Sequence, residues 1–377
     1  MVLVAANLRP VITSVPPVVD GLVATFGLSA FAAGALTTVP VLCMGLFAPL
    51  GAIVSRRVGE SATLALAVGL IAAGALLRSV AGVAGLYAGT AVAGAGIAVA
   101  GALLPSVVRA RVPARVGPVT GIYTAALIAG AFLAAGATEP LRDALGVSTQ
   151  AVLAVWAVPA IVAVVVWLAA RSPSPPRGGT RVPLPWRSGA AWLGAVFMGT
   201  QSLLFYGSLA WLAAVYTRLG MDTAHAGLLL ALFSATQMVT AFALPALAHR
   251  FGRRPLWTFG SVGVTTVGLF LVALAPDPFP AAPWLWAALL GLGMGGNLSL
   301  ALSIVTDLAP TPREASAYTG MAFLVGYTLA ALGPVALGRL TDLTGGYRAG
   351  FLVLGAVGVV TAVVGTAAAR STAARMH

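Results

Sequence analysis

Arg9 sits in an apolar stretch, Met1-Val-Leu-Val-Ala-Ala-Asn-Leu-Arg-Pro-Val-Ile-Thr-Ser-Val15. A permanent guanidinium in such a setting can hold a small anion or an electron-rich planar group through two parallel hydrogen bonds. Asn7, Thr13 and Ser14 add neutral polar groups to the same segment. Further along, Gln201 and Tyr206 lie close to one face of a single helix. Gln201 can donate to an anionic oxygen or a nitro group, and Tyr206 can stack on a planar ring or donate its hydroxyl. Asn297 follows Gly291-Leu-Gly-Met-Gly-Gly296, a run that lets backbones approach closely. Two readings stay open for each neutral residue: ligand contact, or the interhelical hydrogen bonding common in membrane bundles. For Arg9 the second reading is an anchor that snorkels to lipid phosphate.

The elements that must position these residues are membrane helices. Apolar residues make up 59% of the chain and charged residues 8%, with a mean hydropathy of +0.99. Soluble domains carry about 25% charged residues. Apolar stretches of about 20 residues recur from end to end, which means helices rather than a barrel. A charge at membrane depth then costs at least ~2.5–3.5 kcal/mol, so Arg9 calls for a cavity or a partner. The first apolar segment lacks the basic flank and small-residue cleavage site of a signal peptide.

Several chemistries are excluded by residue usage. Cys43 is the single cysteine, and His225, His249 and His377 are scattered, so no metal or cofactor site is expected. No nucleophile–base pair or phosphate-binding loop points to an enzyme. A signalling receptor would need a soluble output domain. The net charge of +12 comes entirely from arginines, which fall in alternate loops. Arg56-Arg57, Arg109/Arg111/Arg115, Arg171/Arg177/Arg181/Arg187, Arg250/Arg253/Arg254 and Arg313 with Arg370/Arg375 form the clusters. The positive-inside rule puts these loops in the cytoplasm. The basic surplus is a topology signal and not a nucleic-acid surface.

Helices are expected at 1–26, 30–54, 61–79, 84–108, 117–138, 150–170, 190–217, 224–248, 255–275, 283–307, 317–340 and 349–369. An N-terminal six-helix bundle (1–170), a Pro/Gly/Arg-rich cytoplasmic linker (171–189) and a C-terminal six-helix bundle (190–377) follow. The halves repeat. Gly27, Gly34 and Arg57-Val-Gly59 recur at an offset of 193 as Gly220, Gly227 and Arg250-Phe-Gly252. Thr120-Gly121, Asp143 and Gly146 recur at an offset of 199 as Thr319-Gly320, Asp342 and Gly345. One longer loop, Ala275–Pro283, accounts for the change. Ala190, near the start of the seventh helix, maps before Met1, so the first helix is expected to lack about a turn. The same mapping sets Arg9 level with Ser202, beside Gln201.

Two parallel six-helix repeats resemble the major facilitator superfamily. His249-Arg250-Phe251-Gly252-Arg253-Arg254 is similar to that family's loop signature, with a degenerate copy around Gly51…Ser55-Arg56-Arg57-Val58-Gly59. Ala6-Asn-Leu-Arg-Pro-Val-Ile-Thr-Ser-Val15…Pro17-Val-Val-Asp20 resembles the first helix of cyanate and 2-nitroimidazole transporters. The stretches Gln201–Tyr206, Gly320–Ala322 and Gly333-Pro334 fit the same branch.

The resemblance implies an all-α, multi-pass cell-membrane protein with both termini cytoplasmic. It would be a monomer in the bilayer that moves a small-molecule solute by alternating access, with a midplane site between the repeats. Arg9, Asn7, Thr13, Gln201, Tyr206 and Asn297 are the candidate binding residues. Arg57, Arg250 and Arg253 are the candidate gating residues. Among them Arg9 is the only arginine placed deep within a helix. An exporter of neutral or lipophilic compounds is the alternative. Proton coupling is not expected, since no Asp, Glu or His falls at mid-helix in these boundaries.

Overall fold

The computed structural model describes residues 1–112, 115–170, 183–311 and 314–373. Most of the expected linker, 171–182, lies outside the described residues, as do Pro113, Pro312, Arg313, Arg375 and His377. Among the described residues there is no strand, and twelve helices are long and apolar enough to cross a membrane. In chain order they are α1 (Val2–Phe26), α2 (Ala30–Val58), α3 (Glu60–Leu77), α4 (Gly82–Arg111), α5 (Val116–Leu145) and α6 (Ala151–Ala170). The second six are α7 (Gly189–Arg218), α8 (Thr223–Phe251), α9 (Arg254–Leu274), α10 (Ala282–Asp307), α11 (Ala315–Thr344) and α12 (Arg348–Ala373).

A helix satisfies its own backbone, which is what an apolar segment needs where no water competes. Apolar residues at helical spacing also cover the outside. Val158, Ile161, Val162 and Val165 on α6 are all exposed, as are Val359, Val360 and Val363 on α12. In water such stripes would be a liability; in a bilayer they face lipid.

Each expected helix is present, and several run past their expected ends, α5 and α11 among them. α5 continues past 138 to Leu145, and α11 past 340 to Thr344. Both stop at a left-handed glycine, Gly146 (φ 63°) and Gly345 (φ 73°), the conformation that ends helices and suits glycine. The expected boundaries follow the end of the apolar run, whereas the backbone follows these caps. Glu139, Arg142 and Asp143 therefore belong to α5, and Asp342 to α11.

The chain divides into two compact units. Unit 1 comprises Met1–Leu28, Val39–Thr180 and Asp222–Ala231; unit 2 comprises Ser29–Thr38, Arg181–Met221 and Leu232–His377. In unit 1, α3 packs on α4 and α5 on the first segments of α1. In unit 2, α9 packs on α12 and α10, and α7 on α11, around Phe197, Met198, Leu300, Ile304 and Met321.

The two short segments, 29–38 and 222–231, are repeat mates at the offset of 193. They begin alike. Ser29 Oγ accepts from the Ala32 amide (3.1 Å), and Asp222 Oδ1 accepts from the mate, His225 (3.0 Å). These are N-caps. The packing repeats too. A Cβ on Gly34 would stand 2.5 Å from the Pro334 carbonyl oxygen, and one on Gly227 2.8 Å from that of Ala135, its mate.

Candidate functional site

The first helix is not continuous. It runs as Val2–Ala6, Pro10–Thr13, a 3-10 turn at Pro16–Val18 and Val19–Phe26. Pro10, Pro16 and Pro17 each lack an amide hydrogen; Pro10 and Pro16 each begin a new short segment, as proline favours, and Pro17 follows as the second residue of the 3-10 turn. At these prolines the first helix is interrupted and not merely bent.

Arg9 stands at the first interruption, as the N-cap of Pro10–Thr13. Its carbonyl accepts from the Ile12 amide (2.9 Å), the Thr13 amide (3.0 Å) and the Thr13 hydroxyl (3.1 Å). Every other residue from Asn7 to Val19 is buried, while Arg9 is only partly so. Asn7 is turned inward: its amide donates to the carbonyls of Leu3 (2.8 Å) and Pro159 (3.1 Å). It therefore ties the break to α6. Arg9 and Thr13 are brought together; Asn7 spends both its donors on backbone.

A second arginine holds this broken helix. Arg78, just beyond α3, is fully buried. Its guanidinium donates to the Val11 carbonyl (2.5 Å), Ser14 Oγ (2.8 Å) and the Leu153 carbonyl (3.5 Å), while Nε has no partner among the described residues. Burial pulls its pKa down to about 9. Arg78 is more deeply buried than Arg9, and its contacts are structural. Arg78 falls at the end of the expected helix 61–79. Nothing in the sequence announces that its acceptors are carbonyls on α1.

In unit 2 the candidates sit in separate surroundings. Gln201 is buried and donates to the Met198 carbonyl (3.1 Å) and Ser202 Oγ (2.6 Å). Tyr206 is buried beside Phe205 (ring centroids 4.8 Å apart) and Tyr327 of α11 (6.4 Å). Asn297 donates to Thr265 Oγ1 on α9 (2.9 Å), and its Oδ1 has no hydrogen-bond partner among the described residues. No hydrogen bond joins Gln201 to Asn297. A buried amide oxygen without a donor is uncommon and marks where an outside donor could bind.

The family model described as "Major Facilitator Superfamily" matches residues 3–330 and 191–375. The chain belongs to the major facilitator superfamily. It is 32% identical over 378 residues to a 2-nitroimidazole transporter of Escherichia coli (strain K12), spanning 98% of this chain and 94% of that one. It is 32% identical over 351 residues to a cyanate transport protein of the same organism, spanning 92% and 90%. The crystal structure of a nucleoside transporter shares the fold, with a TM-score of 0.78 at 12% identity over 97% of this chain and 98% of the other. The protein is thus a multi-pass membrane protein of a solute-transporting superfamily.

The superfamily's loop arginines take different places. Arg57, Arg250 and Arg253 are exposed, and none makes an ion pair among the described residues. Arg250 lies over the Phe251 ring at 5.4 Å. The arginine that is paired is Arg254, which bonds Asp307 at the end of α10. In the sequence the two read as unrelated charges, Arg254 in a loop cluster and Asp307 at a helix end. Glu139 is a further residue that sequence reasoning missed. The expectation that no Asp, Glu or His falls at mid-helix rests on a helix ending at 138; α5 runs on to Leu145, so Glu139 lies in its C-terminal part and is 1% exposed. Its Oε1 accepts from Arg142 at 2.9 Å.

Proposed function

We propose that this protein is a secondary transporter that carries a small anionic or electron-rich solute, cyanate- or nitroimidazole-like, across the cell membrane by alternating access. The observation that carries the reading is Arg9: a guanidinium at an interruption of α1, less buried than every neighbour from Asn7 to Val19. Arginine is suited to bidentate binding of carboxylate-like or nitro groups. Broken helices are where transporters of this kind build their sites. The names of the two E. coli relatives point to the same substrate class.

In this reading Arg9 is the principal substrate contact, with Asn297 Oδ1, Gln201 and Tyr206 contributing from the second half. Thr13 and Asn7 set the backbone around Arg9. The halves act as six-helix bundles, 1–170 and 190–377, joined by a cytoplasmic linker, in a monomer with both termini in the cytoplasm. Exposed Arg57, Arg250 and Arg253 are free to form gate contacts in another state of the cycle.

The test is the thermal stability of the purified protein, since a ligand that binds the folded state raises it. Cyanate, 2-nitroimidazole and a lipophilic cation would be compared. Stabilisation by either of the first two is expected. Stabilisation by the lipophilic compound alone would favour the exporter reading instead.

A further inference from the structure

The C-terminal ends of α5 and α11 are repeat mates, and each crosses the start of a partner helix inside its own unit. In unit 2, α11 meets α2 through Gly338. A Cβ there would stand 2.3 Å from the Ala30 carbonyl oxygen, so only glycine allows this approach. Asp342 then accepts from the amides of Ala30 (2.8 Å) and Phe31 (2.9 Å). In unit 1, the mate of Gly338 is Glu139 and the mate of Ala30 is Thr223. The Thr223 hydroxyl lies against the Glu139 carboxylate. The crossing is therefore one that glycine can make, and here it holds a carboxylic acid instead.

The charges at this crossing do not balance. Arg142 donates to Glu139 (2.9 Å) and to Asp143 (2.8 Å), one guanidinium between two carboxylates. Asp143 is largely exposed, Arg142 is 27% exposed and Glu139 is buried. Glu139 Oε2 has no hydrogen-bond partner among the described residues. One proton on Glu139 leaves Arg142 and Asp143 as a neutral pair and removes the uncompensated charge.

Other charged groups lie on the adjoining elements. Asp222 and His225 at the start of α8 pair with each other, and Asp222 is held below the usual carboxylate range, chiefly by the His225 amide. Arg78 is tied to Val11, Ser14 and Leu153. On α1, Arg9 and Asp20 are each partly exposed, Arg9 at the N-cap position of Pro10–Thr13 and Asp20 at the start of Val19–Phe26.

We propose that Glu139 is the proton-binding site through which substrate movement is coupled to a proton gradient. The proton rides on Oε2 while the α5–α8 crossing is packed, and passes to water when that crossing parts. No other bond forms or breaks. This rests on the transporter reading above but adds to it a driving ion.

The test has one arm without substrate and one with it. Purified full-length wild type, Glu139→Gln and His225→Asn would be melted between about pH 5 and pH 9, a range in which a site that gains or loses a proton on unfolding makes stability depend on pH. Wild type and His225→Asn are expected to share a pH-dependent melting temperature that Glu139→Gln lacks. In proteoliposomes with cyanate or 2-nitroimidazole, Glu139→Gln is expected to lose at least about tenfold in pH-gradient-driven accumulation, because a tenfold gradient is one pH unit of driving force. Exchange of substrate, which needs no net proton movement, should persist. If Glu139→Gln does not fold, Glu139→Gly places at this site the residue its mate already carries. A pH response unchanged in Glu139→Gln, or abolished by His225→Asn, overturns the proposal. If wild type exchanges neither probe, the substrate assignment fails, and the melting arm alone decides the role of Glu139.

Discussion

The ends of α5 and α11 occupy the same place in the repeat, yet they close their crossings by different means. At α11, glycine and an aspartate do it: Gly338 admits the Ala30 carbonyl, and Asp342 caps the first amides of α2. A carboxylate at a helix N-terminus is satisfied by two donors and by the helix dipole, and nothing at that crossing asks for a proton. At α5, Arg142 stands where α11 has Thr341, and it draws the Asp342 equivalent, Asp143, to itself. Glu139 fills the glycine position. One duplicated backbone thus carries a fixed clasp in one half and an ionisable one in the other. Because Ser29 and Asp222 cap α2 and α8 alike, the contrast lies in three side chains and not in the helix starts.

Substitutions can break or sharpen this comparison. The largest effect is expected at Arg78, an anchor that only unit 1 has, since its mate at the offset of 193 is Leu271. Arg78→Ala removes the buried donor to the Val11 and Leu153 carbonyls and to Ser14. A loss of roughly 2–4 kcal/mol in unfolding free energy is expected, since each buried orphan costs about 1–3 kcal/mol. Arg78→Lys should recover little of it, because an ammonium does not reproduce the fork. Equal stability of Arg78→Ala and wild type in a denaturant titration would remove the anchor.

Next in size is Gly338→Val, where the added side chain meets the Ala30 carbonyl. Overpacking of this kind costs about 1–3 kcal/mol. The reciprocal change, Glu139→Gly, should cost less, near the ~1 kcal/mol of a helical glycine. Melting temperatures in the same detergent compare the two directly. A milder effect for Gly338→Val than for Glu139→Gly would mean that the crossings are not equivalent.

Smaller again are the aspartates. Asp342→Ala removes a two-amide cap and should cost about 1–2 kcal/mol. Asp143→Ala removes an exposed partner of Arg142, an interaction of the class worth about 0–1 kcal/mol. If the two variants melt together, the clasp at α2 is not the fixed one.

Much of this fold is legible in the sequence. Hydropathy marks all twelve helices, and the glycine and arginine matches at offsets of 193 and 199 mark the repeat. Pro10, Pro16 and Pro17 mark the breaks in α1, because proline's missing amide is a local property. What escapes is what depends on contacts far along the chain. Glu139 reads as a loop residue since the apolar run stops before it, whereas the helix runs on to the cap at Gly146. Arg78 falls at the end of the expected helix 61–79, and nothing local shows that its acceptors lie more than sixty residues off. At the candidate site, residue type told which groups are polar but not which are already engaged. Gln201 is bonded to Met198 and Ser202, Asn7 to Leu3 and Pro159, and only Asn297 keeps an unbonded buried oxygen.

The central claim is that Arg9 holds the substrate, and ligand binding to Arg9 variants tests it most directly. Isothermal titration of purified wild type, Arg9→Ala and Arg9→Lys with cyanate and with 2-nitroimidazole would be read beside their melting temperatures. At ligand about 100 times its Kd, wild type should gain about 2.7 kcal/mol of stability. The account predicts that Arg9→Ala keeps its fold and loses that gain, and that Arg9→Lys binds far more weakly than wild type. An Arg9→Ala protein that melts like wild type and binds either probe with wild-type affinity would contradict it, leaving Arg9 as a lipid anchor.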